Sequence, residues 1–312
     1  MQLRPVGATG VHLSSIGLGG YELGSEPADV PGARAAIEAA LDSGVNWLDT
    51  AEAYSDTANE TVIGQAMRGL STPPVVASKA DPHEDNFRRQ RLHAACRASL
   101  ERLGVDHLDL YFLHEPDDPG GVPLDETWGA MAELVDEGLV RAIGLSNFTR
   151  EQLEACHASR RVDAVQDGLS MIDHLGNREL FTWCAEHDIA VVVYEPLAGG
   201  LLGGAPVTLE GLRRTWGDLE EWGFYERLCA PGRLERSAAV AAELTKVAAR
   251  LEVPAAQVAV AWVLAQPGVS SAICGSRNPA HVRENSGAAE LCIDADTMTE
   301  LDALVPLGPA FD

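Results

Sequence analysis

The chain has 312 residues, and 46% of them are hydrophobic, which is enough for one large core. Its formal net charge of −24 disfavours non-specific binding to nucleic acid or to an anionic membrane surface. No apolar run approaches the roughly 20 residues that span a bilayer, and the N-terminus lacks the pattern of a secretory signal. We therefore expect a cytoplasmic protein whose partner is a small molecule, and the sequence carries no indication of its oligomeric state.

The cysteines and lysines are informative by their distribution. Six cysteines are scattered along the chain without a CxxC pair or a metal-like spacing to histidine. We predict reduced, mostly buried thiols, no disulfide framework and no metal site. Only two lysines, Lys79 and Lys246, stand beside 21 arginines. Each lysine therefore raises the question of why arginine would not serve there.

Short apolar runs alternate with amphipathic stretches along the chain, and no linker marks a domain boundary. A hairpin with a Thr9-Gly10 turn is predicted over Leu3–Ser14. The predicted strands that follow are Ser15–Gly20, Val45–Asp49, Val75–Lys79, Leu108–His114, Val140–Ser146, Asp163–Leu169, Ile189–Tyr194 and Ser271–Gly275. The predicted helices are Pro31–Asp42, Glu60–Gly69, Phe87–Leu103, Leu124–Glu137, Arg150–Ser159, Arg178–His187, Ser237–Leu251 and Pro279–Ala289.

Eight apolar strands that alternate with helices are typical of a closed parallel barrel. We predict an α/β fold, a (β/α)8 TIM barrel that forms a single domain over residues 1–312. The N-terminal hairpin is expected to plug the bottom of the barrel. A long loop, Ala198–Arg236, follows the seventh strand and contains Trp216, Trp222, Phe224 and Tyr225. The structural alternative is an open doubly wound sheet, which normally uses fewer strands.

Four polar side chains fall at or just after the ends of three successive strands. Asp49 ends the second strand and Tyr54 follows it, Lys79 ends the third strand, and His114 ends the fourth. In a barrel of this kind the C-terminal strand ends form one rim, where the chemistry takes place. Taken singly, each residue has an ordinary structural explanation, such as a turn, packing, a surface charge or a structural histidine. Their convergence on one rim favours catalysis.

These four residue types suit the reduction of a carbonyl group by hydride. The developing alkoxide needs a proton donor, and tyrosine with its ordinary pKa near 10 is a weak acid. A neighbouring ammonium is expected to lower the pKa of Tyr54, and a carboxylate paired with Lys79 fixes the ammonium in place. The imidazole of His114 can donate a hydrogen bond that orients the carbonyl oxygen.

The segment Asp49–Tyr54, with its aspartate and tyrosine five positions apart, resembles the signature of the aldo-keto reductase superfamily. Further blocks occur in the order of that family and span nearly the whole chain. They are Val76–Lys79, Leu113–Asp117, Ile143–Phe148, Tyr194–Leu201, Gly275–Pro279 and Glu284-Asn285. The resemblance implies that Tyr54 is the general acid/base, that Asp49 and Lys79 tune it, and that His114 orients the substrate.

The glycine-rich segment Gly17–Gly20 does not continue into a GxGxxG dinucleotide motif. It is better explained by close approach to a ligand or a neighbouring backbone. Barrel enzymes bind phosphate near their last strands and the following helix, where Ser276 and Arg277 lie and could hold an adenosine 2′-phosphate. The Ser146-Asn147 pair has an alternative explanation as a cap of the helix Arg150–Ser159.

The resemblance implies NADP(H) as the cofactor, with NAD as the alternative. The cofactor-binding positions implied in this way are Ser146, Asn147, Gln166, Tyr194, Pro196, Leu197, Gly199, Gly275, Ser276, Arg277, His281, Glu284 and Asn285. Tyr194 is the aromatic residue on which the nicotinamide ring stacks in the family. This chain departs from the family at Glu195, which stands where a serine is common, and at Asp167-Gly168.

The sequence thus predicts an NADP-dependent oxidoreductase that interconverts a small aldehyde or ketone, or a sugar-like carbonyl, and its alcohol. Tyr21, Trp47 and the long loop are expected to wall the substrate pocket, and nearby acidic residues disfavour a strongly anionic substrate. The alternative is a nucleotide-sensing protein with little turnover on the same barrel, because fold alone does not imply activity. A metal-dependent lyase or isomerase would have to use Asp49, His114 and Glu195 as ligands.

Overall fold

The computed structural model describes residues 1–82, 86–117, 121–173, 177–205, 207–216 and 232–305. The strands are β1 (Leu3–Pro5), β2 (His12–Ser14), β3 (Ile16–Gly19), β4 (Trp47–Asp49), β5 (Val75–Ala80), β6 (Leu108–Leu113), β7 (Val140–Ser146), β8 (Ala164–Gly168), β9 (Ala190–Tyr194) and β10 (Val269–Gly275). Strands β3 to β10 are parallel and close into an eight-stranded barrel in which β10 pairs with β3. The predicted TIM barrel is therefore confirmed, and the open doubly wound sheet is excluded.

Helices surround the barrel. They are α1 (Val30–Asp42), α2 (Ala58–Met67), α3 (Arg89–Leu103), α4 (Leu124–Asp136), α5 (Arg150–Ser159), α6 (Arg178–Glu186), α7 (Leu209–Trp216), α8 (Arg233–Leu251), α9 (Ala255–Leu264), α10 (Pro279–Ser286) and α11 (Ala295–Leu304). The eight predicted helices are present, with ends that differ by up to four residues. The sequence analysis missed α7, α9 and α11. Helix α9 was missed because it is apolar on nearly every side, so it lacks the helical period of an amphipathic helix.

The predicted hairpin is also present. Strands β1 and β2 pair antiparallel, with Leu3 opposite Ser14. Val6, Val11 and Leu13 are buried in the core cluster that fills the barrel interior. Trp47 belongs to this cluster, and its indole nitrogen donates to the carbonyl oxygen of Ser14 at 3.2 Å and to Ser271 Oγ at 3.1 Å. The hairpin therefore closes the end of the barrel where the strands begin.

The position of Trp47 corrects one expectation. Its side chain is buried at the closed end of the barrel, so it cannot wall a pocket at the other end. The long loop after β9 contains α7, and its predicted end at Arg236 lies inside α8. Trp222, Phe224 and Tyr225 lie outside the described residues, as does the side chain of Trp216, so the proposed aromatic wall stays a prediction.

The glycines of β3 allow close backbone packing at the open rim of the barrel. A Cβ atom built on Gly19 would lie 3.1 Å from the Cα of Gly275, and one on Gly20 would lie 2.6 Å from the carbonyl oxygen of Asp49. The Gly20 amide donates to that same Asp49 oxygen at 2.7 Å. The glycine-rich segment thus serves close approach to neighbouring backbone, and it seats Asp49 tightly against β3.

Four cysteines that the structure describes, Cys96, Cys156, Cys184 and Cys274, are buried free thiols, and Cys292 is an exposed one. Cys229 lies outside the described ranges. No single helix in those ranges is both long and apolar enough to cross a membrane. Helices α8 and α9 pass that test only as a pair, by length and composition, and they are bent by 98° relative to each other.

Two helical glycines provide a matched test of the packing. A Cβ on Gly64 in α2 would collide with the carbonyl oxygen of Arg102 and lie 2.8 Å from the Cα of Leu103, whereas one on Gly129 in α4 would meet no atom within 4 Å. Gly129→Ala should raise the free energy of unfolding by up to about 1 kcal/mol, because alanine favours helix. Gly64→Ala should lower it by about 1–3 kcal/mol through overpacking. Chemical denaturation measures both, and stabilisation by Gly64→Ala would contradict the α2–α3 contact.

Candidate active site

The four predicted catalytic side chains come together at the open rim. We call them the tetrad: Asp49, Tyr54, Lys79 and His114. The Lys79 ammonium is buried and donates to Asp49 Oδ2 at 2.6 Å, to the carbonyl oxygen of Thr50 at 2.8 Å and to the hydroxyl of Tyr54 at 3.2 Å. The rings of Tyr54 and His114 meet edge to face with centroids 5.7 Å apart. Lys79 thus links the carboxylate to the phenol, and His114 flanks the phenol.

The second oxygen of Asp49 is also bound. Gln166, on β8, donates from Nε2 to Asp49 Oδ1 at 2.7 Å, and both side chains are buried. A buried carboxylate is costly unless its oxygens are satisfied, and here each oxygen has a donor. The metal-site alternative loses support, because Asp49 is committed to Lys79 and Gln166. No group of three or more His, Cys, Asp or Glu side chains in the described ranges could hold a metal ion.

The pKa values of Lys79 and Tyr54 follow from burial and pairing. Burial alone would lower the pKa of Lys79, but Asp49 and Tyr54 outweigh it, so the pKa of Lys79 is raised. For Tyr54, burial raises the pKa; Lys79 pulls it down, but burial and the negative charge of Asp49 prevail. Lys79 lowers the pKa of Tyr54 as expected, but the expectation left out the cost of burying a phenolate, and the net pKa is raised. Tyr54 therefore holds its proton at neutral pH.

Two buried polar residues, Asn59 and Glu60, fix the backbone that follows Tyr54, and the sequence analysis did not single them out. Asn59 Nδ2 donates to the carbonyl oxygens of Gly20 at 2.9 Å and Gly24 at 2.8 Å. Glu60 accepts from Ser78 Oγ at 2.5 Å and from Arg102. These contacts fasten the start of α2 to the ends of β3 and β5. Their signal in the sequence was two adjacent polar residues at the start of a predicted helix.

The turn between Tyr54 and α2 is left-handed at three successive residues, Ser55, Asp56 and Thr57, with φ values of 52°, 51° and 70°. Residues with a Cβ avoid this conformation, which costs on the order of 1–3 kcal/mol at each position. The cost is met by the buried contacts of Asn59 and Glu60. Such strain commonly clusters at functional sites.

A further acidic residue lies beside His114. Asp81 Oδ2 is 3.8 Å from His114 Nδ1. The Asp81 backbone is held by Glu52, whose Oε1 accepts from the Asp81 amide at 2.8 Å, and by Asn86, whose Nδ2 donates to the Asp81 carbonyl at 2.8 Å. The sequence analysis missed Asp81, although its position two residues after Lys79 places it on the same rim.

The positions implied for the nicotinamide end of a cofactor lie at the ends of β7, β8 and β9. Asn147, with φ 64°, donates from Nδ2 to the carbonyl oxygen of His114 at 3.0 Å and accepts from the Tyr194 hydroxyl at 2.7 Å. Asn147 also donates to Ser146 Oγ at 3.2 Å. The alternative explanation of Ser146-Asn147 as a helix cap is wrong, because Thr149 caps α5.

The positions implied for the rest of the cofactor lie on both sides of β10. Pro196, Leu197 and Gly199 form the turn after β9, in which Glu195 and Ala198 also have positive φ. Gly275 ends β10, Ser276 is buried and Arg277 is exposed. His281, Glu284 and Asn285 lie on α10, whose N-terminus is capped by the side chain of Asn278. The predicted residues thus line a path around the rim from β7 to α10.

Asp167, unexplained from the sequence, has a structural role. Its Oδ1 accepts from the Gly168 amide and from Asn177 Nδ2, both at 2.8 Å, which ties the end of β8 to the residue that precedes α6. Burial raises the pKa of Asp167 to about 6. Because Gln166 and Asp167 are successive on a strand, they point to opposite faces, and the Asp167 contacts hold Gln166 toward Asp49.

The aldo/keto reductase family model matches residues 15–306, and the chain therefore belongs to this family. The resemblance drawn from the motifs is confirmed. The family is one of oxidoreductases, and its barrel is the fold described above.

Relatives match the chain over nearly its full length. Aldo-keto reductase YhdN of Bacillus subtilis is 29% identical, covering 100% of this chain and 97% of its own length. The NADH-specific methylglyoxal reductase of Escherichia coli is 28% identical (96% and 98% covered), and a probable voltage-gated potassium channel subunit beta of Oryza sativa is 28% identical (99% and 98%). An aldo-keto reductase of Klebsiella pneumoniae, solved with NADPH, superimposes with a TM-score of 0.79 at 29% identity, covering 100% and 98%.

The chain's two lysines provide a test of the buried ion pair. Lys79→Met should lower the free energy of unfolding by about 3–5 kcal/mol, because it leaves the buried Asp49 carboxylate without its cation. The double variant Lys79→Met, Asp49→Asn should recover much of that loss, because the uncompensated charge of the carboxylate is then removed. Lys246→Met should leave stability unchanged, because Lys246 is exposed and pairs with Glu243, an exposed residue three positions away.

Denaturant unfolding of these three variants, of Asp49→Asn alone and of the parent chain measures these differences. A loss in the double variant equal to the sum of the losses in Lys79→Met and Asp49→Asn would show that the two side chains are not energetically coupled.

Proposed function

We propose that the chain is an NADP(H)-dependent oxidoreductase that interconverts a small aldehyde or ketone, or a sugar-like carbonyl, and its alcohol, with Tyr54 as general acid/base. The observation that carries the proposal is the buried Lys79 ammonium, bound to both Asp49 and Tyr54 beside His114. A relative named as a methylglyoxal reductase and a neighbour solved with NADPH support the substrate class and the cofactor. We also propose that residues 1–312 form one domain that acts in the cytoplasm.

A nicotinamide cofactor held by these residues would supply the hydride for reduction of the carbonyl and accept a hydride in oxidation of the alcohol. In reduction, Tyr54 gives its hydroxyl proton to the carbonyl oxygen, so the carbonyl becomes an alcohol and a phenolate remains. Lys79 stabilises this phenolate, since its Nζ already contacts the hydroxyl. His114 donates a hydrogen bond that orients the carbonyl oxygen. Burial raises the pKa of Tyr54, so its hydroxyl carries the proton at neutral pH that reduction requires.

The residues around the rim fit a dinucleotide in their chemistry. Ser146 and Asn147 offer a hydroxyl and an amide for the carboxamide of the nicotinamide, and Tyr194 offers a half-exposed ring for stacking. Gln166 couples this end to Asp49. At the other end, Ser276 and the exposed Arg277 offer a hydroxyl and a guanidinium for a 2′-phosphate. Glu284 and Asn285 are the proposed contacts of the adenine.

The acidic surroundings of the tetrad favour a neutral substrate. Asp81 lies beside His114, and Glu195 is close enough to Tyr54 to raise its pKa further. A carboxylate or phosphate on the substrate would be repelled by these groups at short range. A small neutral aldehyde, ketone or sugar-like carbonyl avoids that repulsion.

The second candidate is a nucleotide-sensing protein with little turnover. It is favoured by the similarity to a probable potassium channel subunit beta. A sensor has less need of a complete tetrad, and here all four groups contact one another in series. Screening a broad panel of neutral carbonyls with NADPH, by loss of NADPH absorbance, separates the two candidates. Tight NADPH binding without turnover on any member of the panel would favour the sensor.

Tyr54→Phe should keep cofactor affinity and lose turnover by about 10²–10⁴-fold, because it removes the proton donor and leaves the ring in place. The matched control is Tyr111→Phe on β6, because no hydrogen-bond partner of the buried Tyr111 hydroxyl is found in the described part of the chain. This control should keep both turnover and binding. NADPH fluorescence gives the affinity and its absorbance gives the rate. Unchanged turnover in Tyr54→Phe would remove Tyr54 from the mechanism.

Arg277→Gln should weaken NADPH binding by about 10- to 100-fold and NADH binding much less, because a charge-assisted contact to a phosphate is lost. The matched control is Arg283→Gln, which removes the same charge from α10 at an exposed position. Arg283→Gln should change the affinity for NADPH and the affinity for NADH only slightly. Equal weakening of NADPH and NADH by Arg277→Gln would contradict the assignment of Arg277 to a 2′-phosphate.

A further inference from the structure

A carboxylate lies against the proposed phosphate site. Glu22 belongs to a one-turn 3-10 helix, Tyr21–Leu23, that follows β3. Strand β3 pairs with β10 in the barrel, with Gly19 opposite Gly275. A Cβ atom built on Gly275 would lie 3.9 Å from Glu22 Oε1. The Glu22 side chain therefore reaches across the rim to the end of β10, two residues before Arg277.

The charges near Glu22 are those of the proposed site. Burial raises the pKa of Glu22, while Arg277 and His281 act in the opposite direction and favour its charged form. Glu22 is therefore within electrostatic reach of Arg277 and His281, the two side chains that the proposed 2′-phosphate site would use. Asp29 also interacts with Arg277, but its Oδ2 accepts from the amides of Ser25 and Glu26 at 2.9 Å each. Those hydrogen bonds commit Asp29 to capping its own turn.

We propose that Glu22 determines cofactor specificity by competing with the adenosine 2′-phosphate for Arg277 and His281. An anion already placed beside the Arg277 guanidinium offsets part of its charge and repels a second anion that approaches it. NADH carries a hydroxyl in place of the 2′-phosphate and escapes this repulsion. Glu22 thus weakens the binding of NADPH relative to that of NADH, and it reduces the preference for NADPH that Arg277 creates. The inference rests on the proposed role of Arg277.

The test measures binding of cofactor fragments by calorimetry, so that it does not depend on turnover. Adenosine 2′,5′-bisphosphate carries the discriminating phosphate, and 5′-AMP lacks it. Glu22→Gln keeps the size of the side chain and removes its charge. It should tighten binding of the bisphosphate by about threefold to tenfold and change 5′-AMP binding by less than about twofold. The gain should shrink at high salt, because screening weakens the repulsion.

Two further variants make the outcome decisive. Glu38→Gln removes the same charge from α1, where Glu38 is exposed and pairs with Arg34, and it should change neither affinity. Glu22→Ala should also tighten binding of the bisphosphate. Because alanine adds no amide, this result would assign the effect to the lost charge rather than to the glutamine side chain. The inference is overturned if Glu22→Gln changes both affinities equally or changes neither.

Arg277→Gln separates failure of this inference from failure of the proposed function. If Arg277→Gln weakens binding of the bisphosphate more than binding of 5′-AMP, but Glu22→Gln changes neither selectively, only the role of Glu22 is rejected. If Arg277→Gln weakens the bisphosphate and 5′-AMP equally, the proposed phosphate site is rejected together with the role of Glu22.

Discussion

The Lys79 ammonium is buried at the rim of the barrel, and the arrangement of the candidate site depends on satisfying it. An ammonium has three donors and no acceptor. Here the three donors are used by the Asp49 carboxylate, the Thr50 carbonyl and the Tyr54 hydroxyl. Because the Tyr54 oxygen accepts from Lys79, its own proton must point elsewhere. The contact that satisfies the third donor of the buried ammonium thus leaves the phenol proton directed away from Lys79, where an acceptor can take it.

Satisfying Lys79 also places demands on the backbone. Asp49 and Lys79 lie on adjacent strands, and β4 and β5 pair in a register that sets Asp49 opposite Ala77, two residues before Lys79. Alternation along β5 then puts Ala77 and Lys79 on the same face. Glycines at positions 19 and 20 let β3 approach Asp49 closely, and Gln166 reaches its other oxygen from β8. Three separate parts of the barrel therefore fix one carboxylate, and a shift in any of them would leave a buried charge unsatisfied.

The fold was largely predictable because its signals are local. Each strand of the barrel is a short apolar run bounded by turn residues, and β7 and α5 were predicted with their observed ends. Helix α9 escaped prediction for a physical reason, since a helix buried on nearly all sides shows no polar face. Trp47 was misplaced because the predicted strand ran over Val45–Asp49 with Trp47 at its middle, whereas β4 begins at Trp47. The Trp47 indole lies at the closed end of the barrel, where it donates to Ser14 and Ser271.

The site was predictable only in part, because much of it is set by contacts between distant segments. The tetrad could be found from four polar residues that follow successive strands. The net direction of the Tyr54 pKa could not, because it depends on how far burial outweighs Lys79. Glu22 was missed for a similar reason. It lies in the turn after β3, and only the closure of the barrel brings β3 beside β10, across more than 250 residues of sequence.

The acidic character of the chain gives local charges unusual weight in binding an anionic cofactor. A net charge of −24 opposes the approach of a dinucleotide, and 21 of the 23 basic residues are arginines that are spread along the sequence. At physiological ionic strength the Debye length is about 8 Å, so most distant carboxylates are screened from the cofactor. The balance is then decided by the few groups within that range of the phosphates. At the proposed adenosine end these groups include Arg277, His281 and Glu22, and by our proposal a single carboxylate there shifts the choice between two cofactors that differ by one phosphate.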